Sequence, residues 1–155
     1  MANQQKQVPH VMFRLGRQAF AVELDAIKDV AKSPDLTPVP NAEPMVRGLC
    51  VLRDHLTTAL DLRLRFNLPA KTDPENFTAL CVDYEGDRVA LLVDRVEDVA
   101  ILPVLQPINP PRDPLWQGVV TGVAKHGDET IVALDIAGIL DGALQEESKE
   151  DEELA

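Results

Sequence analysis

Aromatic rings are scarce in this chain, with one Trp, one Tyr and four Phe among 155 residues. A platform for single-stranded nucleic acid stacks bases on exposed rings, so that kind of binding has little to work with here. Basic charge is short as well. Lys and Arg number 15 against 26 Asp and Glu, a formal net charge of −11, whereas phosphate recognition calls for a basic face. No nucleic-acid partner is expected. Apolar runs near the ~18 residues that span a bilayer are absent, so no direct membrane insertion is expected. Residues 1–7 are polar, with no apolar stretch behind them of the kind a secretory signal carries.

Cysteine is limited to Cys50, in "GLCVL", and Cys81, in "TALCVDY". Both sit in apolar surroundings and read as buried free thiols of a reduced cytosol, although the sequence alone leaves a disulfide between them open. His10, His55 and His126 stand far apart, and none has a second His or Cys at metal-ligand spacing. P-loop, G-x-G-x-x-G and G-x-S-x-G patterns are missing too. No metal and no cofactor is expected. The best catalytic candidates are Asp61 ("ALDLR") and Asp94 ("LLVDR"), each at the end of an apolar strand, as in an aspartyl hydrolase whose paired carboxylates share a proton. Such a dyad has a small residue and Gly after the Asp. Here Leu62-Arg63 and Arg95-Val96 follow, so each Asp reads as pairing with a neighbouring Arg or capping a turn.

What the chain does have is aliphatic alternation. Val11, Phe13 and Leu15, then Phe20, Val22 and Leu24, flank Gly16-Arg17-Gln18 as a hairpin would. The form recurs at residues 79–84 and 88–93 around Glu85-Gly86-Asp87, and at 119–124 and 130–134 around residues 125–128. Between the first two, "GLCVLRDHLTTALDL" supplies two shorter runs split at Arg53-Asp54-His55. This spacing suits a barrel or sandwich and leaves no room for repeated helical crossovers. Helix is expected only over part of residues 24–32, from the spacing of Leu24, Ile27 and Val30, and in a short C-terminal segment from Leu134 that Asp135 would cap. Proline clusters at residues 34–44 and 103–114 mark two long connections suited to binding.

Charge divides the chain further. Seven acidic groups fall within residues 141–155 against Lys149 alone, so that end carries −6 of the total. The expected organisation is a disordered N-terminus over residues 1–7, one folded domain over 8–140, and an acidic end over 141–155, partly helical and then a solvated tail. An acidic docking element is the other reading of that tail.

Specific strings narrow the reading. "PNAEPMVRGLCVLRDHLTTALDLRLRF" resembles the core signature of the CheW family: a proline-bearing loop, a basic residue and Gly, a strand ending in Leu-Arg, a second strand, then Asp-Leu-Arg and Phe. "FRLGRQAFAVELDAIKDV", "RVALLVDRVEDVAIL" and "VVTGVAKHGDETIVALDIAGIL" resemble the family's opening hairpin, middle strands, and last hairpin with its helix. The resemblance implies an all-β fold of two small five-stranded SH3-like barrels around a shared hydrophobic core, with short helices including one at the C-terminus. It implies a non-enzymatic, cytoplasmic adaptor, recruited to membrane receptor arrays. Its partners would be the regulatory domain of a CheA-type histidine kinase and the cytoplasmic tip of methyl-accepting chemoreceptors. The family's key arginine falls on Arg53 and its acidic partner on Asp29, where Glu is usual and one methylene longer. Gly48 matches the glycine before the strand, and Ile27 and Arg47 match positions near the partner surfaces. Asp54 stands where the family has Gly, and its carboxylate would compete for Arg53. A paralogous scaffold serving a non-flagellar array, with weakened receptor binding, is the alternative that this departure implies.

Overall fold

The computed structural model describes residues 8–69, 76–103, 105–109 and 116–141. The N-terminal residues 1–7 expected to be disordered, the acidic end after Asp141 and part of the second proline-rich connection lie outside the described residues.

The chain runs through ten strands: β1 (Pro9–Leu15), β2 (Gln18–Glu23), β3 (Asp29–Lys32), β4 (Val46–Leu52), β5 (His55–Asp61), β6 (Thr78–Tyr84), β7 (Asp87–Val93), β8 (Arg95–Ile101), β9 (Val120–His126) and β10 (Glu129–Leu134). Helix α1 (Leu62–Arg65) follows β5, and α2 (residues 136–141) follows β10. The strands form two five-stranded sheets, ordered β8-β1-β2-β10-β9 (sheet A) and β3-β6-β7-β5-β4 (sheet B). In each the middle hairpin lies parallel to one strand of another hairpin, β2 to β10 and β7 to β5, and the remaining pairings are antiparallel.

The two sheets are one design used twice. The first half, β1 to α1, is repeated as β6 to α2, and the halves exchange strands: β3 to β5 join the second half's hairpin, while β8 to β10 join the first's. The repeat is visible in sequence once the topology aligns it. Residues 46–62 match 120–136 without a gap, keeping Val46/Val120, Gly48/Gly122, Asp54/Asp128 and the Ala-Leu-Asp of 59–61 and 133–135. Hydrogen bonds repeat as well, from Asp61 N to Met45 O and from Asp135 N to Val119 O, both at 2.7 Å.

Side-chain alternation explains the packing. On β1, β2, β6 and β7 one face carries Val11, Phe13, Leu15, Phe20, Val22, Leu80, Val82, Val89, Leu91 and Val93 into a core shared by both sheets. The other face of each hairpin fills a barrel interior with fewer large groups, Met12, Ala19 and Ala21 in sheet A, Ala79, Cys81, Ala90 and Leu92 in sheet B. A small barrel has room for little more than that. Both faces are therefore buried, and each fully buried Leu or Phe contributes about 1.5–3 kcal/mol. Helices α1 and α2 close the shared core with Leu62, Phe66, Ile139 and Leu140.

The helical spacing read at residues 24–32 gives a single 3-10 turn, Leu24–Ala26. Beyond it, Lys28 N donates to Cys81 O at 2.7 Å and the chain extends as β3 along β6, so tertiary pairing overrides local periodicity. Strand β8 also escapes the alternation rule, because its residues are mostly exposed along the edge of sheet A.

Gly48 allows the first proline-rich connection to cross β4. Its φ is +145°, and a Cβ there would lie 2.4 Å from Thr37 O, in a backbone that exchanges two 2.8 Å hydrogen bonds with Leu49. Gly122 meets Gln106 O in the same way in the second half. Gly48→Ala is expected to lower the unfolding free energy by roughly 2–4 kcal/mol, read from the urea midpoint. A loss below about 0.5 kcal/mol would show that the crossing yields at little cost.

Candidate functional site

The β4–β5 hairpin turns on two residues, Arg53 (φ +47°) and Asp54 (φ +66°), both left-handed. Two-residue turns of this hand match the twist of the strands, and Asn-Gly is their usual sequence. The equivalent turn of the other half uses Gly127 (φ +66°) before Asp128. An arginine held at positive φ costs of order 1 kcal/mol or more, and backbone strain of that kind concentrates at functional positions.

What the strain secures is a fixed, solvent-facing cation. The Arg53 side chain is 76% exposed, and its Nε donates to Asp29 Oδ2 at 2.7 Å. Asp29, the first residue of β3, is 14% exposed and its Oδ1 accepts from Val30 N at 2.9 Å. The shorter Asp thus reaches the arginine. Among the described residues the terminal amino groups of Arg53 donate to no protein atom, and Asp54 makes no side-chain hydrogen bond. The Arg53 hydrogen bond holds the Asp29 carboxyl below its ordinary range against the opposing effect of burial, with help from Val30 N and the charges of Arg53 and Arg88.

Exposed aliphatic side chains lie on the strands that carry this ion pair. Val51 and Leu56 face each other across β4 and β5, each 68% exposed, and Val30 beside Asp29 is exposed too. An exposed arginine among exposed aliphatic residues is the composition of a protein-docking surface. Sequence reading missed these three valine and leucine positions. Val51 and Leu56 flank the turn at matching register, which was the available signal, but alternation does not say which side of an edge hairpin stays uncovered.

The remaining residues named from the family lie elsewhere. Arg47, at the root of β4, donates from Nη1 to Asp61 Oδ2 at 3.3 Å and stands 5.6 Å from the Phe77 ring centroid. Gly48 is buried under Thr37, so it acts on the surface only through the loop it admits. Ile27 is partly buried and packs against the shared core. The structure brings Asp29, Arg53 and Asp54 together at one end of sheet B and places Arg47 against Asp61, Gly48 under Thr37 and Ile27 on the shared core.

Both catalytic candidates are occupied structurally. Asp61 is fully buried and caps α1 by accepting from Arg63 N at 2.9 Å; burial pushes its carboxyl up, opposed by that N–H and by the Arg47 charge. Asp94 takes two bonds from Arg63, at 2.7 and 2.6 Å, and one from Gly16 N at 2.7 Å. Each carboxylate faces an arginine, and nothing in that arrangement favours a shared proton. Cys50 and Cys81 are free and buried, so no disulfide joins them. Burial, with the Asp29 charge next, pushes the Cys81 thiol up to about 11, which leaves it protonated and unreactive at neutral pH. Among the described residues no three His, Cys, Asp or Glu side chains cluster to hold a metal, and no helix is long and apolar enough to cross a membrane.

Comparison with known proteins agrees with this architecture. The solved structure of a scaffolding protein, TtCheW from Thermoanaerobacter tengcongensis, superposes with a TM-score of 0.77 at 22% identity, covering 88% of this chain and 94% of its own. That likeness identifies the fold as the paired SH3-like barrels of CheW. The chemotaxis protein CheW of Treponema pallidum is 26% identical over 142 residues, covering 88% of this chain and 84% of the relative. The chemotaxis protein CheW of Klebsiella aerogenes is 23% identical over 133 residues, covering 84% and 80%. The CheW-like domain profile matches residues 9–144, and the chain belongs to the CheW-like domain family.

Proposed function

We propose that this chain is a non-enzymatic chemotaxis adaptor that couples a CheA-type histidine kinase to the cytoplasmic tip of chemoreceptors. The single observation that carries the proposal is the Arg53 geometry: a strained, exposed guanidinium anchored by Asp29, with its terminal amino groups open toward solvent. The relatives named above are chemotaxis proteins, and the matched domain spans nearly all of the described residues. A cytoplasmic location at receptor arrays follows from the partners proposed. The paralogue reading rested on the loss of Gly at position 54 and on Asp54 competing for Arg53; Asp54 takes up the left-handed turn at φ +66° and Arg53 is bonded to Asp29, which favours the adaptor reading.

A pull-down with the regulatory domain of the cognate kinase is expected to retain the protein. Arg53→Glu is expected to weaken capture of the receptor tip by about tenfold or more, because it leaves Asp29 facing a second carboxylate and reverses the tip charge. Wild-type protein that captures neither partner would sink the proposal.

The ion pair also sets an acid limit. Asp29 lies below its ordinary 3.8, so its contribution to stability is present at neutral pH and is lost as pH falls through the lowered value. In Arg53→Ala the Asp29 carboxyl is expected to titrate higher, since the largest lowering influence is gone while burial remains. Carbon-detected NMR of the side-chain carboxyl reads this directly; an unchanged titration would mean the pair does not persist in solution.

A further inference from the structure

The two halves of the repeat differ at one matched pair. Arg47 corresponds to Thr121, and the acid beside it, Asp61, corresponds to Asp135. Arg47 and Thr121 are each the extra residue of a β-bulge, on β4 facing β5 and on β9 facing β10, and a bulge re-aims the side chain it carries. In sheet B the re-aimed side chain is an arginine, bonded at 3.3 Å to the fully buried Asp61. In sheet A it is a threonine, whose hydroxyl donates to Ala133 O at 3.2 Å, and Asp135 stays exposed. A cavity of about 190 Å³ lies beside Thr121 and Asp135. Leu105, Leu134 and Ile136 give it apolar walls, while His10, Glu23, Thr121 and Asp135 give it polar ones.

Every polar group in this cavity is an acceptor. Among the described residues the Glu23 and Asp135 carboxylates make no hydrogen bond and no ion pair. His10 is 6% exposed and lies opposite Glu23 across β1 and β2. Its Nδ1 donates to Val8 O at 2.7 Å, because a carbonyl can only accept. The neutral ring therefore carries a lone pair on Nε2, which has no partner among the described residues. The Thr121 proton is already directed at Ala133 O. Acceptors on apolar walls complement a side chain with an apolar stem, several donors and no acceptor, which is the form of arginine and lysine. Arg47 in the matched place of sheet B favours the guanidinium, whose fan of N–H groups reaches several acceptors at once.

We infer that this cavity is a socket for an arginine side chain presented by a partner protein, the regulatory domain of the kinase. The choice of partner rests on the adaptor reading, in which Arg53 on sheet B meets the receptor and sheet A is left for the kinase. The chemistry of the socket does not depend on it. Sheet B fills the matched place from its own chain, and sheet A leaves it to be filled from outside. An arriving guanidinium meets two uncompensated carboxylates and a buried imidazole lone pair, so the contact is charge-assisted and selective for its shape. Sequence reading gave no sign of this, since Thr121 and Asp135 stand out only beside Arg47 and Asp61.

Titration of the whole chain with ethylguanidinium chloride, followed by the His10 ring signals in NMR, reads the socket by itself. Saturable shifts at millimolar concentration are expected. Thr121→Arg supplies the arginine from within, as sheet B does, and is expected to weaken that binding by about tenfold or more. Glu23→Gln leaves the bulge untouched and is expected to weaken it by about threefold or more, which keeps the test alive should Thr121→Arg fail to fold. Shifts that sodium chloride reproduces, or that persist unchanged in the variants, mean an adventitious ion only and overturn the inference. Shifts that appear only after Lys6→Gln assign the socket to the chain's own first residues and overturn it as well. Capture of the kinase regulatory domain is expected to fall about tenfold in Thr121→Arg; undiminished capture by a variant that no longer binds ethylguanidinium overturns the choice of partner. Wild-type protein that captures neither kinase domain nor receptor tip sinks the adaptor reading instead, and the ethylguanidinium titration still judges the socket.

Discussion

Burial of β1, β2, β6 and β7 on both faces is the constraint on which the molecule depends. Large aliphatic and aromatic side chains point from both sheets into one shared core, while the opposite face puts Met12, Leu92, Cys81 and alanines into the barrel interiors. Neither sheet can then slide by one residue without exchanging the side chains of the shared core with the mostly smaller set that fills the barrel interiors. Aromatics, though few, sit at this seam: Trp116 stacks on Phe66 at 4.4 Å and on Phe20 at 6.4 Å, joining α1 to the first hairpin. The bidentate Arg63–Asp94 pair adds a polar clamp, because Asp94 also accepts from Gly16 N in the turn of that hairpin. With strands exchanged between halves, the two barrels behave as one body.

That rigidity is what makes a strained tip tolerable. An exposed ion pair such as Arg53–Asp29 contributes well under about 1 kcal/mol to stability, and two left-handed residues cost at least as much. Locally the balance is zero or negative, and the core supplies the difference. A pair that contributes so little to folding is better understood as a device for presenting Arg53. The other barrel shows the contrast. There Arg14 is spent on Glu97 and Glu129, at 2.6 and 2.5 Å, and the matching turn relaxes onto Gly127. One barrel end is electrostatically closed; the other leaves a cation exposed to solvent.

Much of this was legible in the sequence, for identifiable reasons. The hairpins around Gly16, Gly86 and Gly127 announce themselves because period-two alternation and turn chemistry agree, while the one at Arg53 shows by alternation alone. Strands β3 and β8 do not, since each is an edge strand whose pattern is set by the sheet it joins, far away in sequence. The internal repeat stayed hidden for the same reason: its halves align only once strand exchange is known. Asp29 and Arg53 emerged from the family's motif, 24 residues apart, where periodicity alone would never pair them. Val51 and Leu56 were out of reach, because their exposure depends on which side of a hairpin is left uncovered.

The central claim is that Arg53 is displayed for a partner and that Asp29 serves to hold it. Exchanging the two charges, in an Asp29→Arg, Arg53→Asp double variant, separates display from pairing most directly. The account predicts a folded protein with a near-native urea midpoint that no longer binds the receptor tip in calorimetry, because the pair survives while the exposed charge is reversed. Binding of the exchanged protein at wild-type affinity would contradict it, and would make the ion pair a structural strut alone.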